Sequence, residues 1–336
     1  MKIFVIGGTR FIGPACIKRL ISQGHQVAVF HRGQSHADLP QGVVEALGDR
    51  RDEAALKSAL IEFGPECVLD LCAFQESDQA TLESALDGTS PRIVLVSSCD
   101  VYRNFGGLLG QSSLPIDPTP LHEGSPLRET LFPYRDRDPI PGRDLSQYDK
   151  IPIENRVLAM GGCVARLPMV YGPGDRQHRT FEYVRRMAHG RPAIIVPASM
   201  AQWKTCRAHV DNVAHAISLI VETGDPGTVY NVAESPGWTE LEWIRLVAQA
   251  MSWPGQCTVV EDSQLPESLR PDSDYIWDID VDTSKIRTHL GYSDVVPLEE
   301  AVLQTVEWQR QNSPDPAPPV DYSLEDQVLT ASGTRH

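Results

Sequence analysis

The chain has 336 residues, 41% hydrophobic and 22% charged, which is typical of a soluble globular protein of one or two domains. Its 45 acidic and 30 basic side chains give a net charge of −15, which argues against a general nucleic-acid or anionic-membrane binder. No apolar run approaches the ~20 residues of a transmembrane helix, and Met1 leads directly into a predicted strand, which predicts no signal peptide. Seven scattered cysteines without a CxxC pair favour reduced thiols, a cytoplasmic location and no zinc site.

The first predicted strand, Lys2–Ile6, runs into a glycine-rich turn that ends at Gly13, and a helix is predicted to follow from about Pro14. A strand, a glycine turn and a helix in this order form a site for a dinucleotide pyrophosphate, because the helix N-terminus offers free N–H groups to phosphates. Glycine at position 7 allows the tight turn, and glycine at position 13 allows close helix–strand packing. The turn residues predicted to contact the cofactor are Gly7, Thr9, Arg10, Phe11, Ile12 and Gly13.

Strand and helix patterns alternate through the first half of the chain. Near-continuous apolar strands indicate a sheet covered on both faces, and the alternation predicts an α/β fold with a doubly wound, parallel Rossmann-type sheet. Such sheets bind ligands at the carboxyl ends of their strands. The predicted strands are 2–6, 26–30, 43–47, 67–71, 93–97 and 163–167, with helices between them such as 52–63 and 75–86.

The pattern predicts a nucleotide-binding domain over residues 1–168, to which 205–233 return, and a smaller substrate domain over 169–311. The tail 312–336 lacks a core pattern and is expected to be a loose or partner-dependent extension. Residues 103–147 form an unusually long connection, rich in Pro, Gly and Arg, at the ligand edge of the sheet. This connection is either a substrate lid or an insertion without a role in binding.

Three further motifs accompany the glycine turn: VLVSSCDVY, ARLPMVYGPGD and AHVDNVAHAI. Together they resemble the extended short-chain dehydrogenase/reductase family, also called the NAD-dependent epimerase/dehydratase family, over about residues 1–310. The resemblance implies a nicotinamide dinucleotide cofactor, a small-molecule substrate and a plausible homodimer, and it specifies the fold far better than the reaction. Arg10 stands where the family usually has its middle glycine, which resembles an atypical branch that includes the chloroplast stem-loop-binding proteins.

The NAD-binding members usually carry an acidic residue after the second strand, where this chain has His31 and Arg32. A carboxylate would repel a 2′-phosphate, whereas Arg32, with Arg10 nearby, would pair with it. The sequence therefore favours NADP(H) over NAD(H), with a solvated surface charge as the alternative for Arg32. The resemblance adds cofactor contacts at Asp49, Arg50, Cys72, Ala73, Lys150 and Leu167.

Catalysis in the family uses Ser or Thr, a Tyr, and a Lys four residues after that Tyr. By this resemblance Ser98 orients the substrate oxygen and Lys150 holds the cofactor, but the expected tyrosine is replaced by Ser146. The nearest tyrosine, Tyr148, lies two residues before the lysine, about 200° away on a helix, so the two could not share a helical face. If Asp149 caps the helix, Tyr148 lies just outside it and is free to aim elsewhere.

Tyr148 is then either the proton donor or a packed, lid-facing tyrosine. Asp100 is a second candidate for proton transfer, with a hydrogen-bonded turn residue as its alternative. The family's sugar-nucleotide dehydratases carry an Asp-Glu pair before Val-Tyr, and here that pair is Cys99-Asp100, which disfavours two-carboxylate dehydration. The candidate substrate-binding residues are Tyr102, Met169, Arg176, Trp203 and Arg207. Met169 stands where nucleotide-sugar members carry Asn, which weakens the case for such a substrate.

The leading hypothesis is an NADP(H)-dependent oxidoreductase that acts on a carbonyl or secondary alcohol. Tyr148 or Asp100 would move the proton, while Ser98 and Lys150 would orient the substrate oxygen and the cofactor. An epimerase that recycles its cofactor is one alternative. A non-catalytic dinucleotide-binding regulator, including an RNA-binding form, is another, although the net charge of −15 argues against RNA.

Overall fold

A computed structural model describes residues 1–35, 38–135, 144–314 and 319–333 of the chain. The part of the predicted lid at 136–143 and two parts of the tail, 315–318 and 334–336, lie outside the described residues. Thirteen strands are present in the described ranges: β1 (Lys2–Ile6), β2 (Gln26–His31), β3 (Val44–Leu47), β4 (Cys67–Asp70), β5 (Arg92–Ser98), β6 (Cys163–Leu167), β7 (Met169–Tyr171), β8 (Ala193–Pro197), β9 (Lys204–Thr205), β10 (Arg207–His209), β11 (Val229–Asn231), β12 (Trp238–Thr239) and β13 (Gln256–Val260).

The helices of the described ranges alternate with the strands in the first half and group together in the second. They are α1 (Ile12–Ser22), α2 (Glu53–Phe63), α3 (Glu76–Leu86), α4 (Arg103–Leu108), α5 (Lys150–Ala159), α6 (Phe181–Ala188), α7 (Ala198–Ala201), α8 (Val210–Thr223), α9 (Glu240–Ala250), α10 (Ser284–Leu290), α11 (Leu298–Gln311) and α12 (Ser323–Ala331). None of these helices is both long and apolar enough to cross a membrane.

Seven strands form one parallel sheet in the order β11-β6-β5-β4-β1-β2-β3. Both faces are covered, which the side chains of β1 illustrate because successive residues of a strand point to opposite faces. Ile3 and Val5 pack in the cluster that includes residues of α1 and α8, whereas Phe4 and Ile6 pack in the one that includes residues of α2, α3 and α5. The predicted α/β, Rossmann-type sheet is confirmed. The chain builds the sheet outward from β1, first to one side through β2 and β3 and then to the other through β4, β5 and β6. The carboxyl ends of β1 and β4 therefore border the expected ligand crevice.

The second half forms a smaller unit around α6, α9, α11 and the parallel pair β8–β13. Its core is built from apolar side chains that recur at helical spacing, among them Val184, Met187, Ile244, Val247, Val302 and Val306. This unit flanks the carboxyl edge of the large sheet through β7 and β10, which pair with each other just beyond the end of β6.

The expectation of a loose tail is wrong for the residues that form α12. Val328 of this helix packs in a buried cluster with Val260 and Leu265, and the next residue, Leu329, is also buried. Two ion pairs, Arg186–Glu325 at 2.7 Å and Arg191–Asp326, tie the helix to the smaller unit. The tail sequence has too few apolar residues to indicate a core position by itself. The residues that pack against Val328 come from segments distant in the chain.

The burial of Leu329, which is 1% exposed, predicts a clear cost for its truncation. Leu329→Ala should lower the free energy of unfolding by about 2 kcal/mol, since it removes buried methyl groups and leaves a cavity. Urea unfolding of the full chain measures this change. Leu324→Ala, on the same helix but at a side chain 40% exposed, is the matched control and should cost much less. Equal, small effects of both substitutions would contradict the docking of α12.

Candidate functional site

The glycine turn after β1 has the backbone geometry that a phosphate group requires. Gly7 and Gly8 adopt φ values of 89° and 91°, which favour glycine. A Cβ on Gly13 would lie 2.3 Å from backbone atoms of Gly8, so the helix can approach the turn this closely only with glycine there. Helix α1 carries no acidic residue in its first turn, and Phe11, its N-cap, forms no side-chain cap. The turn and the helix N-terminus therefore fit the pyrophosphate of a dinucleotide.

The residues around this turn occupy varied environments. The hydroxyls of Thr9 and Ser35 lie 2.6 Å apart, and His31 Nε2 lies 3.0 Å from Glu45 Oε2. The side chain of Arg32 is exposed and makes no hydrogen bond or ion pair with the described residues. Arg32 is thus accessible to a phosphate at the end of β2. Of the remaining turn residues, Arg10 is exposed, whereas Ile12 is partly buried against the core of the sheet.

Arg50, expected to contact the cofactor, is instead committed to protein acceptors. Its guanidinium donates to Asp70 Oδ1 at 2.7 Å and to the Asp78 carbonyl at 2.8 Å. Cys72 lies beside the glycine turn, because a Cβ on Gly7 would sit 3.0 Å from its sulfur. Burial raises the pKa of the Cys72 thiol to about 11, so this thiol is neutral at physiological pH. Asp49 is exposed, and Leu167 is buried at the end of β6.

The two candidate proton-transfer residues contact each other. The Tyr148 hydroxyl donates to Asp100 Oδ2 at 2.7 Å, and both side chains are buried. Burial raises the pKa of the Asp100 carboxyl, and burial together with the Asp100 charge raises the pKa of Tyr148. Asp100 Oδ1 has no hydrogen-bond partner among the described residues. A carboxyl with a raised pKa beside a tyrosine hydroxyl can take up and return a proton.

Lys150 lies next to this pair and is also buried. Its ammonium donates to the carbonyl oxygens of Ala73 at 2.6 Å and Val96 at 3.0 Å, which uses two of its three N–H groups. The nitrogen lies 5.9 Å from the ring centre of Tyr148 and 5.0 Å from that of Phe74. Burial lowers the pKa of Lys150, and the charges of acidic neighbours act in the opposite direction. The arrangement leaves one donor for a ribose hydroxyl of a bound cofactor.

The N-terminus of α5 explains how a tyrosine two residues before the lysine reaches the same place. Asp149 is the N-cap, with extended backbone and a side chain that accepts the N–H of Ile151 at 3.0 Å. The predicted cap at this position is confirmed, and Tyr148 lies outside the helix. Its direction is therefore set by the preceding loop and not by helical rotation. Ser98 ends β5 half-buried, and its hydroxyl accepts the backbone N–H of Asp100 at 3.2 Å.

Two residues of the site were missed by sequence reasoning, and both come from the long connection 103–147. Tyr134 places its hydroxyl 3.4 Å from Asp100 Oδ2, and its ring meets that of Tyr148 edge-on at 5.4 Å. Arg128 is buried and donates to Asp149 Oδ1 at 3.1 Å. No local signal distinguishes these residues from the other arginines and aromatics of the connection. Only their partners, 14 to 34 residues away along the chain, identify them.

Three of the five predicted substrate contacts are engaged with other protein groups in the structure. Tyr102, Trp203 and Arg207 are buried in the structure. The Tyr102 hydroxyl donates to Asn231 Oδ1 at 2.6 Å, and Trp203 Nε1 donates to the Trp277 carbonyl at 3.0 Å, so both side chains are bound to other protein groups. Arg207 pairs with Glu240 and stacks on Trp243, which satisfies its charge internally. Of the remaining two candidates, Met169 is half-buried against the apolar cluster that contains Tyr102 and Trp203, and Arg176 is exposed.

Cys99, which stands where the dehydratases have the first carboxylate of their pair, is buried and lies 3.7 Å from the Arg166 carbonyl. Burial raises the pKa of its thiol well above the ordinary value. This group is therefore neutral and turned toward the core. The site holds one carboxyl group, Asp100, at the position where the dehydratases place two acid–base groups.

Comparison with known proteins identifies the family of the chain. The family model described as "NAD dependent epimerase/dehydratase family" matches residues 3–105 and 152–233. The chain is 34% identical to a dTDP-glucose 4,6-dehydratase of Streptomyces niveus, over 93% of this chain and 94% of that protein. It is 30% identical to a chloroplast stem-loop binding protein of Arabidopsis thaliana, over 39% of this chain and 38% of that protein. Other matched proteins are named as reductases and epimerases.

Among solved structures, the dTDP-glucose 4,6-dehydratase of Bacillus anthracis in complex with NAD superimposes with a TM-score of 0.68 at 16% identity, over 94% of this chain and 99% of that one. The parallel sheet and the glycine turn thus define a Rossmann-type fold with a turn that fits a dinucleotide pyrophosphate. The chain belongs to the NAD-dependent epimerase/dehydratase family. The predicted family is confirmed, and the non-catalytic alternative gives way to an enzyme.

Proposed function

We propose that the protein is an NADP(H)-dependent oxidoreductase that interconverts a carbonyl and a secondary alcohol of a small molecule. The observation that carries this proposal is the buried hydrogen bond between Tyr148 and Asp100, with the Lys150 ammonium beside it at the ligand edge of the sheet. The dehydratase relatives do not extend their named reaction to this chain, because Cys99 replaces the first carboxylate of the pair and is buried and neutral.

A bound nicotinamide supplies or accepts the hydride in this class of reaction. The Tyr148–Asp100 pair takes the proton of the alcohol in oxidation and returns it to the oxygen in reduction. Lys150 binds the cofactor through its remaining N–H group, and its charge favours the ionised form of neighbouring acids. Ser98, half-buried at the end of β5, is the hydroxyl available to orient the substrate oxygen. Near-complete burial of the pair excludes bulk water from the proton transfer.

The test is a spectrophotometric screen that follows reduced nicotinamide in the presence of ketones and, in the reverse direction, secondary alcohols. Oxidation of NADPH that depends on one of these compounds would support the proposal. A protein that binds the dinucleotide but transfers no hydride to or from any compound of a broad panel would contradict it.

Recycling of the cofactor within one turnover, as in an epimerase, is the second candidate. A buried pair that can both take and return a proton favours it, because the same group serves the two half-reactions. Mass spectrometry of nucleotide released by denaturation separates the two. Tightly retained NAD(P) indicates recycling, and an empty site indicates net redox with an exchangeable cofactor.

The proposed preference for NADP(H) rests on the exposed Arg32 and on the absence of an acidic residue at the end of β2. Arg32→Ser should weaken NADPH binding about tenfold or more and leave NADH binding nearly unchanged, since only NADPH offers a 2′-phosphate for a charge-assisted hydrogen bond. Fluorescence titration with both nucleotides measures the ratio. Arg245→Ser, which removes an exposed arginine of α9 in the other unit, is the control. Tighter binding of NADH than of NADPH by the wild type would refute the preference.

A further inference from the structure

The long connection supplies a segment that runs directly over the Tyr148–Asp100 pair. We call residues 127–134 the arm. It starts at Leu127, which bridges Tyr102, and the Arg128 N–H donates to the Val101 carbonyl at 2.8 Å. The arm therefore lies along the chain that follows β5, where Asp100 is located. Its start is held by backbone hydrogen bonds and is part of the folded structure.

Arg128 fixes the arm to both halves of the candidate site. Its side chain, which is fully buried, donates to the Asp100 carbonyl and to Asp149 Oδ1. The second oxygen of Asp149 accepts the backbone N–H of Phe132 at 2.7 Å. The helix cap that separates Tyr148 from Lys150 is thus also the anchor of the arm. An ion pair this deeply buried has a demanding geometry, which fixes the arm relative to the start of α5.

Tyr134, further along the arm, shares the Asp100 carboxyl with Tyr148. The two hydroxyls approach the same oxygen, Oδ2, at 3.4 Å and 2.7 Å. The edge-on contact between the two rings, at 5.4 Å, and a second one between Tyr134 and Phe105, at 6.3 Å, orient the Tyr134 ring. The 3.4 Å separation is longer than an ideal O–H···O bond, as catalytic contacts often are before a ligand closes the site.

We propose that Tyr134 is a positioning residue of the proton-transfer site, a second hydroxyl donor that the arm brings to the Asp100 carboxyl. Its effect on turnover rests on the proposed function, whereas its hydrogen bond to Asp100 does not. The charge of the carboxylate is then shared between two tyrosine hydroxyls, and the proton affinity of Asp100 depends on whether the arm is in place.

The groups that face Asp100 determine the sign of this effect. They are the hydroxyls of Tyr148 and Tyr134, the hydroxyl of Ser98, and the cations Arg128 and Lys150. The two cations and the hydroxyls of Tyr148 and Ser98 favour the ionised carboxylate, whereas burial favours the neutral acid and is the largest influence. A hydrogen bond donated by Tyr134 acts in the same direction as the other hydroxyls. Loss of the Tyr134 hydroxyl removes one donor to the carboxylate, so the pKa of Asp100 should rise further.

Infrared difference titration of the protein without cofactor or substrate tests the hydrogen bond directly. The carboxyl band of Asp100 is assigned as the signal that is lost in Asp100→Asn. In Tyr134→Phe this band should titrate about one pH unit higher than in the wild type, the size expected for one hydrogen bond to a charged group. The control is Tyr322→Phe, which removes a hydroxyl that contacts His189, next to α12 in the smaller unit. This substitution should leave the titration of the Asp100 band unchanged. A Tyr134→Phe titration that coincides with that of the wild type would overturn the proposal.

Turnover provides the second readout, with a substrate found in the screen described above. Tyr134→Phe should lower kcat about tenfold and leave KM nearly unchanged. It should also move the acidic limb of the dependence of kcat on pH upward by the same number of pH units as the infrared titration. A purely structural role would lower stability without moving that limb. If the wild type transfers no hydride but the infrared shift is seen, the proposed function fails and the role of Tyr134 at Asp100 stands. If the wild type turns over substrate but Tyr134→Phe moves neither the infrared midpoint nor the midpoint of the kcat profile, the role of Tyr134 is refuted and the proposed function stands.

Discussion

Asp100→Asn is expected to lower kcat at least about 100-fold, because general acid–base groups contribute roughly 10²–10⁴ to the rate and asparagine cannot take up a proton. The substitution is nearly isosteric. Its amide oxygen can still accept the Tyr148 hydroxyl, which lies 2.7 Å from the carboxyl oxygen of the wild type. A loss of turnover would therefore report proton transfer and not a gap in the packing. The measurement is the initial rate with NADP⁺ and the fastest alcohol substrate of the screen.

The pH dependence sharpens this prediction. Burial raises the pKa of Asp100, so the carboxyl is protonated at a higher pH than an exposed aspartate. Oxidation needs the ionised form to receive a proton, and its rate should fall as the pH drops through the raised pKa. Asp100→Asn should abolish this limb. A profile that keeps the same limb in the variant would assign it to another group.

Stability provides the control for Asp100→Asn. A carboxyl with a raised native pKa binds more protons in the folded than in the unfolded state, so its contribution to stability decreases as the pH rises from its ordinary pKa through the raised one. Removal of the charge eliminates that cost. The variant should therefore unfold in urea at neutral pH with a free energy at least equal to that of the wild type. A marked destabilisation would attribute lost activity to misfolding.

Gly13→Ala is expected to lower the free energy of unfolding by about 3 kcal/mol and to weaken NADPH binding at least about tenfold. The new methyl group would lie 2.3 Å from the Gly8 backbone, and neither the turn nor the helix can relax without moving the other. Because the N–H groups at the start of α1 are the expected phosphate ligands, a shift of this helix also displaces the binding site. Urea unfolding and fluorescence titration with NADPH measure the two effects.

The matched control is Gly124→Ala, in the long connection. Its added Cβ would meet only the end of the exposed His122 side chain, 3.2 Å away. The ring can move aside at little cost, because the hydrogen bond that its Nδ1 accepts from the Gly124 N–H is exposed to water. This variant should resemble the wild type in stability and in affinity for NADPH. If Gly13→Ala also behaves like the wild type, the glycine turn does not form the close helix–strand contact described above.

Features that depend on neighbours in sequence were predictable. The glycine turn, the strands and the Asp149 cap follow from residue types at short spacing, because backbone conformation and helix capping are decided within a few residues. The role of α12 was not predictable in this way. Its acidic residues meet Arg186 and Arg191 of a segment more than 130 residues earlier, and these contacts are absent from any local pattern.

The sequence by itself determined the family, the sheet, the cofactor turn and the pool of candidate residues that includes Ser98, Asp100, Tyr148 and Lys150. Only the tertiary structure decided that Tyr148 and Asp100 form one hydrogen-bonded pair, that Tyr134 joins them, and that Tyr102, Trp203 and Arg207 lie in the interior. The physical reason is that a strand or a turn is selected by local backbone preferences. A hydrogen bond between residues 34 or 48 positions apart instead exists only when packing has fixed the two segments against each other and has shielded the bond from water.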